Sequence, residues 1–381
     1  MDTGVFRLDH GSDVYVVRSC YEDDGADLLA LGGDHSVEIY QLSRSSYKRL
    51  ASFHIGNRVT ALAWSPRSLS PSSSDEWTIE IAAAGIDFGL HLLTKTSSSD
   101  EHIFPFGGGL SGHHGKVNDM CFCGGCDQDN ARYVATISDD KMLMVWDLHP
   151  TLDISSGIPS PARSPGNDAS SSPGNLRPQP TAYVISFPYP LTTVSSHPTS
   201  SKEFLVADCR GSIFLTDWRT DPEQTEQGSW RQSTLVELVD PHTLTGSLMG
   251  SSTAWTGYAA WRRDNADIIG ANFGPHFSVW DMSKFRGGKP THAGTTFLDG
   301  GHTFRWCPTI PDYFAIAAQS TTKGAVIHVH NVDYVHAQPS VINVAPRPHY
   351  IRDFDFMALR AQPVLAVAVG HQVVVFSLRD E

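Results

Sequence analysis

An all-β fold, specifically a seven-bladed β-propeller closed by an N-terminal strand, is what this sequence predicts. Three observations carry the prediction. One motif recurs along the chain: a short apolar run, a turn holding Asp or Gly, and a second apolar run ending in an aromatic or a Trp-Asp pair. About seven copies occur, at intervals of about 45 to 70 residues, the spacing expected of four-stranded blades with loop insertions. The last copy ends three residues before the C-terminus, so its blade lacks an outer strand that only the other end of the chain can supply.

The units can be read in order. They are LLALGGDHSVEIYQL (Leu28 to Leu42), IEIAAAGIDFGLHLL (Ile79 to Leu93), YVATISDDKMLMVWDL (Tyr133 to Leu148) and FLVADCRGSIFLTDW (Phe204 to Trp218), followed by IIGANFGPHFSVWDM (Ile268 to Met282), FAIAAQSTTKGAVIHVHNV (Phe314 to Val332) and VLAVAVGHQVVVFSL (Val364 to Leu378). Each pair of β-rich runs flanks turn residues, and no stretch shows helical periodicity. One propeller is therefore expected over residues 1–381. Residues 150–180, rich in Ser, Pro, Gly and Asn with few apolar side chains, read as a disordered loop between the third and fourth strands of blade three. Arg67 to Glu76 and Thr220 to Gln232 read as shorter insertions. Val5 to Leu8 supplies the missing outer strand of blade seven, which leaves no long open sheet edge.

Composition narrows function. With 28 Lys and Arg against 41 Asp and Glu the formal charge is −13, and no basic run offers counter-charge to a phosphate backbone, so direct nucleic-acid binding is not expected. The N-terminus MDTGVFRLDHGSDVYVV lacks a basic region followed by an apolar stretch, so cytosol or nucleus is the expected compartment. The most apolar segment, PVLAVAVGHQVVVF, is interrupted by Gly370, His371 and Gln372, and neither half could span a bilayer. Six scattered cysteines in a chain of this size suit reduced thiols.

The stretch GHHGKVNDMCFCGGC (Gly112 to Cys126) looks chemically loaded. It precedes the blade-three unit, so Val117 to Cys123 reads as that blade's innermost strand and Gly112-His113 as the turn before it. At about 3.3 Å per extended residue, His113 and Cys121 lie on the order of 26 Å apart, beyond one ion's reach. Cys121 and Cys123 share a strand face and Cys123-Gly-Gly-Cys126 has zinc-knuckle spacing, but the local sequence supplies no fourth ligand for a closed site. It also lacks the helix N-terminus that would activate a redox thiol. No cofactor or metal is expected, and a thiol- or metal-dependent enzyme would rest on Cys121, Cys123 and Cys126 alone. His113 has a structural use instead: with Thr136 or Ser138, Asp140 and Trp146 it forms the buried hydrogen-bonded chain of a WD-repeat blade, in which each polar group offsets another's desolvation.

Other constellations are weaker. Glu22, Asp23, Asp24 and Asp27 lack the ligand spacing of a calcium loop and read as solvated. His328 and His330 share a strand face, as a metal pair or as packing. Phosphate-loop, nucleophile-elbow and His-Glu-x-x-His motifs do not occur, and no catalytic residue is assigned. Ser160-Pro161, Ser164-Pro165 and Ser172-Pro173 in the insertion are candidate phosphosites for a proline-directed kinase. Trp230, Trp255 and Tyr258 fall outside the expected third-strand aromatic positions and are candidate partner contacts; the alternative is that they fill gaps between blades.

With the blades placed, the chain resembles one WD-repeat family, the small propeller nucleoporin of the Y-shaped outer-ring scaffold of the nuclear pore. The resemblance rests on SFHIGNRVTALAWSP (Ser52 to Pro66), GHHGKVNDMCF with ISDDKMLMVWDL, SSHPTSSKEFLVADCRGSIFLTDW (Ser195 to Trp218), AAWRRDNADIIGANFGPHFSVWD (Ala259 to Asp281) and HTFRWCPTIPDYFAIAA (His302 to Ala318). The pattern is degenerate: blade three alone has both Gly-His and Trp-Asp, His54 stands one residue out of register, and Asp217-Trp218 is inverted. The resemblance implies a non-enzymatic scaffold subunit of the nuclear pore complex, located at the nuclear envelope. Its implied partner is the helical region of a large propeller-plus-solenoid nucleoporin and, in some lineages, a chromatin-contacting nucleoporin. The competing reading is a substrate receptor of a cullin-type ubiquitin ligase. Such receptors often carry Trp-Asp-x-Arg, whereas Trp146-Asp147-Leu148-His149 and Trp280-Asp281-Met282-Ser283 have no Arg.

Overall fold

The computed structural model describes residues 6–43, 46–125, 130–149, 180–218, 235–238, 240–248, 255–284, 288–318, 320–359 and 363–378. These form seven four-stranded antiparallel sheets, six of which pair their strands in simple chain order. The seventh pairs Asp353–Met357, Val364–Val369 and Gln372–Ser377 with Phe6–Asp9 as its outermost strand. The closing register sets Phe6 opposite Val375 and Asp9 opposite Gln372, and the amides of His10 and Val14 continue it onto the carbonyls of His371 and Gly370. The ring is thus fastened by the two ends of the chain, as the sequence predicts.

The apolar runs explain why the blades stack. A strand with one solvated face alternates in polarity. The second strands here do not alternate: Leu28–Gly32, Tyr133–Ser138 and Val364–Val369 are buried almost throughout. Each blade is sandwiched between two neighbours, so both faces of its inner strands are covered. The buried side chains accordingly sort into seven clusters, one at each junction between adjacent blades. At about 1.5–3 kcal/mol for each fully buried large apolar side chain, each junction is held by its own small core. Alanines fill the places of close approach, as at Ala82, Ala83 and Ala84 and at Ala315, Ala317 and Ala318.

Two features depart from the strand-only reading. An eight-residue helix, Pro241–Leu248, follows the outer strand of blade four. Its signal was present in Asp240-Pro241-His242-Thr243: Asp240 Oδ2 accepts from the amide (3.2 Å) and the hydroxyl (3.1 Å) of Thr243, with proline in the first turn where no donor is lost. The shorter insertion at Arg67 to Glu76 is pinned in place. Ser68 donates to Glu80 O (2.8 Å) and the Ser70 amide to Asp24 O (2.8 Å), tying it to its own blade and to the acidic turn of blade one. The 150–180 insertion, apart from Pro180, and the whole of the Thr220 to Gln232 insertion lie outside the described residues.

Candidate functional site

Blade three carries the polar chain. Trp146 Nε1–H donates to Thr136 Oγ1 (2.9 Å), the Thr136 hydroxyl donates to His113 Nε2 (2.8 Å), and His113 Nδ1–H donates to Asp140 Oδ2 (2.9 Å). Asp140 also accepts from the amides of His114 (2.9 Å) and Met142 (3.0 Å). This holds the turn in which Lys141 adopts φ 71°. Thr136, His113 and Trp146 are essentially inaccessible. Burial pushes the His113 imidazole below its ordinary range despite the Asp140 carboxylate beside it, so the ring is neutral and a single tautomer serves the whole chain. Burial alone would raise Asp140, but the His114 amide and the His113 ring hold it below the usual carboxylate range. Of the two hydroxyls offered by the sequence, Thr136 sits in the chain, while Ser138 Oγ accepts from the Asp140 amide (3.1 Å) within the turn.

The second polar centre lies on the ring axis, where the sequence offered no signal. Arg18 of blade one pairs with Asp353 of blade seven and with Asp119 of blade three (3.3 Å). Arg305 of blade six lies 3.7 Å from Asp353 and 3.8 Å from Asp355. The carboxylates also fasten neighbouring inner strands: Asp353 accepts from the Val17 amide (2.9 Å), Asp355 from the Ser19 amide (2.9 Å) and the Tyr21 hydroxyl, and Asp119 from the Val194 amide (3.2 Å). Burial lowers Arg18, but the three carboxylates outweigh it and raise its pKa. Asp355 is raised by burial against the pull of Arg305 and Arg18. This arrangement compensates buried charge and stitches blades one, three, four, six and seven across the axis. Its acids and bases are spent on one another.

The remaining candidates separate. His328 stacks on Phe297 at 3.7 Å between ring centroids, and His330 stacks on Phe314 at 5.1 Å. Both rings reach Thr296 Oγ1, and burial lowers each pKa to about 4; packing is the role this geometry supports. Burial pushes the Cys20 thiol up to about 12 and Cys121 well above the ordinary range, so neither is a thiolate near neutral pH. Cys123 is buried in the junction between blades three and four, and Cys126 lies outside the described residues. Glu22 pairs with Arg263 (3.1 Å) and Asp27 with Gln41 (2.9 Å). Trp255 packs edge-on against Phe273 (6.0 Å) and Tyr258 against His302 (5.5 Å), so both lie among neighbouring side chains of blades five and six. Trp230, Ser160, Ser164 and Ser172 lie outside the described residues.

Exposed apolar side chains are prominent on the outer strands of blades three and four, at Tyr183 and Val184 and at Leu235 and Val236. Among the described residues no helix is long and apolar enough to cross a membrane.

No protein-family model matches the chain. Nucleoporin Nup37 of Mus musculus is 23% identical over 328 residues, covering 84% of this chain and 81% of the relative. Nucleoporin Nup37 of Homo sapiens is 22% identical over 325 residues, covering 83% and 80%. The resemblance to the small propeller nucleoporins drawn from the motifs is borne out by these two matches. Among solved structures, Raptor of Chaetomium thermophilum superposes with a TM-score of 0.63 at 12% identity, covering 98% of this chain. The chain spans 29% of the length of Raptor, and the likeness is one of fold.

Proposed function

We propose that this chain, a distant relative of nucleoporin Nup37, is a non-enzymatic scaffold subunit of the outer ring of the nuclear pore complex, resident at the nuclear envelope. The observation that carries the reading is similarity to two Nup37 sequences across more than four-fifths of the chain, on a closed ring of seven four-stranded blades. Its partner is the helical region of a large propeller-plus-solenoid nucleoporin of the Y-shaped complex, and a chromatin-contacting nucleoporin is a second candidate. Support for a passive role comes from the polar chemistry. The Cys20 and Cys121 thiols are held protonated by burial, His113 is locked between Thr136 and Asp140, and the axial arginines are committed to carboxylates. A closed ring with a separate core at every junction suits such work, because partner helices can lay an apolar face on it without deforming it.

Affinity purification of the tagged chain from its source cells tests the proposal. Recovery of outer-ring nucleoporins in fixed proportion supports it. Recovery of a cullin adaptor with no nucleoporins overturns it in favour of the ubiquitin-ligase reading.

A further inference from the structure

The channel mouth at which the inner strands begin is unlike the rest of this acidic molecule. Four of the seven inner strands carry a β-bulge at the same place, immediately after their first residue or two: the register shifts between Val59 and Ala61, Val117 and Asp119, Leu191 and Thr193, and His302 and Phe304. A bulge re-aims the extra side chain. Here it sets Thr60, Asn118, Thr192 and Thr303 around the wall of a 360 Å³ cavity on the ring axis. A wider 490 Å³ recess opens from the same rim, lined by Tyr15, Arg58, Lys116, His302, Tyr350 and Arg352.

The charge at this rim runs against the composition. Arg58, Lys116 and Arg352 converge from the segments leading into blades two, three and seven. Arg58 and Lys116 are exposed, and neither forms a salt bridge among the described residues. Arg352 is held by Asp13 (2.6 Å), yet its buried Nε has no hydrogen-bond partner. The guanidinium groups of Arg58 and Arg352 lie 5.1 and 4.5 Å from the Tyr15 ring, and Arg352 lies 5.7 Å from the ring of Tyr350. Stacked guanidinium groups are preorganised and weakly hydrated, so an anion placed there gains attraction with little ordering cost. In a chain of net charge −13, Arg58 and Lys116, exposed and outside any ion pair among the described residues, are cations awaiting an anion.

We propose that this mouth is a binding site for an acidic peptide segment of a protein partner, with one Asp or Glu side chain inserted between Lys116 and Arg352 and a second carboxylate on Arg58. Two observations select a peptide over a compact polyphosphate. Asp13 and Asp139 stand at the same rim, leaving a surplus of only about one positive charge, which separated carboxylates can match and a dense polyanion cannot. The floor beneath is closed by the Arg18, Asp119, Asp353 and Arg305 pairs, so a side chain can be inserted but a chain cannot thread the ring. The exposed ring of Tyr350 offers an apolar platform beside the charges. The site stands on these residues and does not depend on the pore assignment.

The test uses the purified full chain and a fluorescein-labelled oligo-glutamate peptide, read by fluorescence anisotropy. Saturable binding that weakens with salt is expected, and the double variant Arg58→Glu with Lys116→Glu should lose about tenfold or more in affinity. Both side chains are exposed, so this variant should keep the parent's melting temperature, and Arg49→Glu on the outer strand of blade one should bind as the parent does. Absence of binding, or equal affinity in the double variant, overturns the proposal. Tighter binding of inositol hexakisphosphate than of oligo-glutamate, with the same dependence on Arg58 and Lys116, overturns the peptide assignment and identifies a polyphosphate site.

Discussion

Replacing Thr136 by valine should destabilise the protein far more than its size change suggests. Valine keeps the β-branch and nearly the same volume, so strand preference and packing are preserved. What disappears is the hydroxyl that accepts from Trp146 Nε1–H (2.9 Å) and donates to His113 Nε2 (2.8 Å). Both partners are buried, at 3% and 1% exposure, and water cannot replace the lost bonds. Leaving a buried polar group unpaired costs about 1–3 kcal/mol, so two orphaned groups imply a loss of about 2–6 kcal/mol, a large part of the roughly 5–15 kcal/mol by which folded domains are stable. Chemical denaturation followed by tryptophan fluorescence and circular dichroism measures it. Ser138→Ala is the control, expected to cost about 1 kcal/mol because Ser138 satisfies only the turn amide of Asp140. In a double-mutant cycle, Thr136→Val and Trp146→Phe should fall short of additivity by about 1 kcal/mol or more, since the second change removes the donor that the first orphans. A Thr136→Val loss under about 0.5 kcal/mol, a larger loss for Ser138→Ala, or strict additivity would refute the chain as an energetic unit.

Two further predictions concern charge. Asp353→Ala removes a carboxylate shared by Arg18, Arg305 and the Val17 amide; breaking such a buried pair costs about 3–5 kcal/mol, and calorimetry should show a clear fall in melting temperature, whereas an unchanged transition would mean that water or another acid replaces it. His328 and His330 are held neutral by burial, with pKa values near 4. A histidine whose folded pKa is depressed takes up its proton more readily when unfolded, so its stability contribution is complete above about pH 6.5 and is lost as pH falls towards 4. After allowance for partial solvation each ring should account for about 1–2 kcal/mol. The double variant His328→Phe with His330→Phe should flatten the stability profile over that window, and a profile that stays as steep as the parent's would assign the acid sensitivity elsewhere.

Legibility from sequence followed how local each interaction is. The strand runs, the Asp and Gly turns and the leftover N-terminal strand are local, and blade number and ring closure could be read from them. His113, Asp140 and Trp146 were legible because a repeat places them at set offsets within one blade. Thr136 and Ser138 were not separable, because residues two apart share a strand face; the observed pairing, with Thr136 opposite Met144 and one step in from the turn, places the threonine under the Trp146 indole. The helix at Pro241–Leu248 was missed although its Asp-Pro-x-Thr cap was written locally, since the seven strand units left no expectation of one. Tyr258 stands outside the third-strand aromatic pattern; its packing on His302 joins two blades and has no local signature.

The sequence by itself determined that this chain is a ring of strands, how the ring is fastened, and which family it resembles, because apolar periodicity and turn chemistry act over a few residues and are written in order. Only the tertiary structure decided what the axis contains. Arg18 meets Asp119 and Asp353 across separations of 101 and 335 residues, and Arg58, Lys116 and Arg352 reach one rim because each leads into an inner strand of a different blade. Closing the ring brings those positions together, and no spacing along the chain records a distance that exists only after closure.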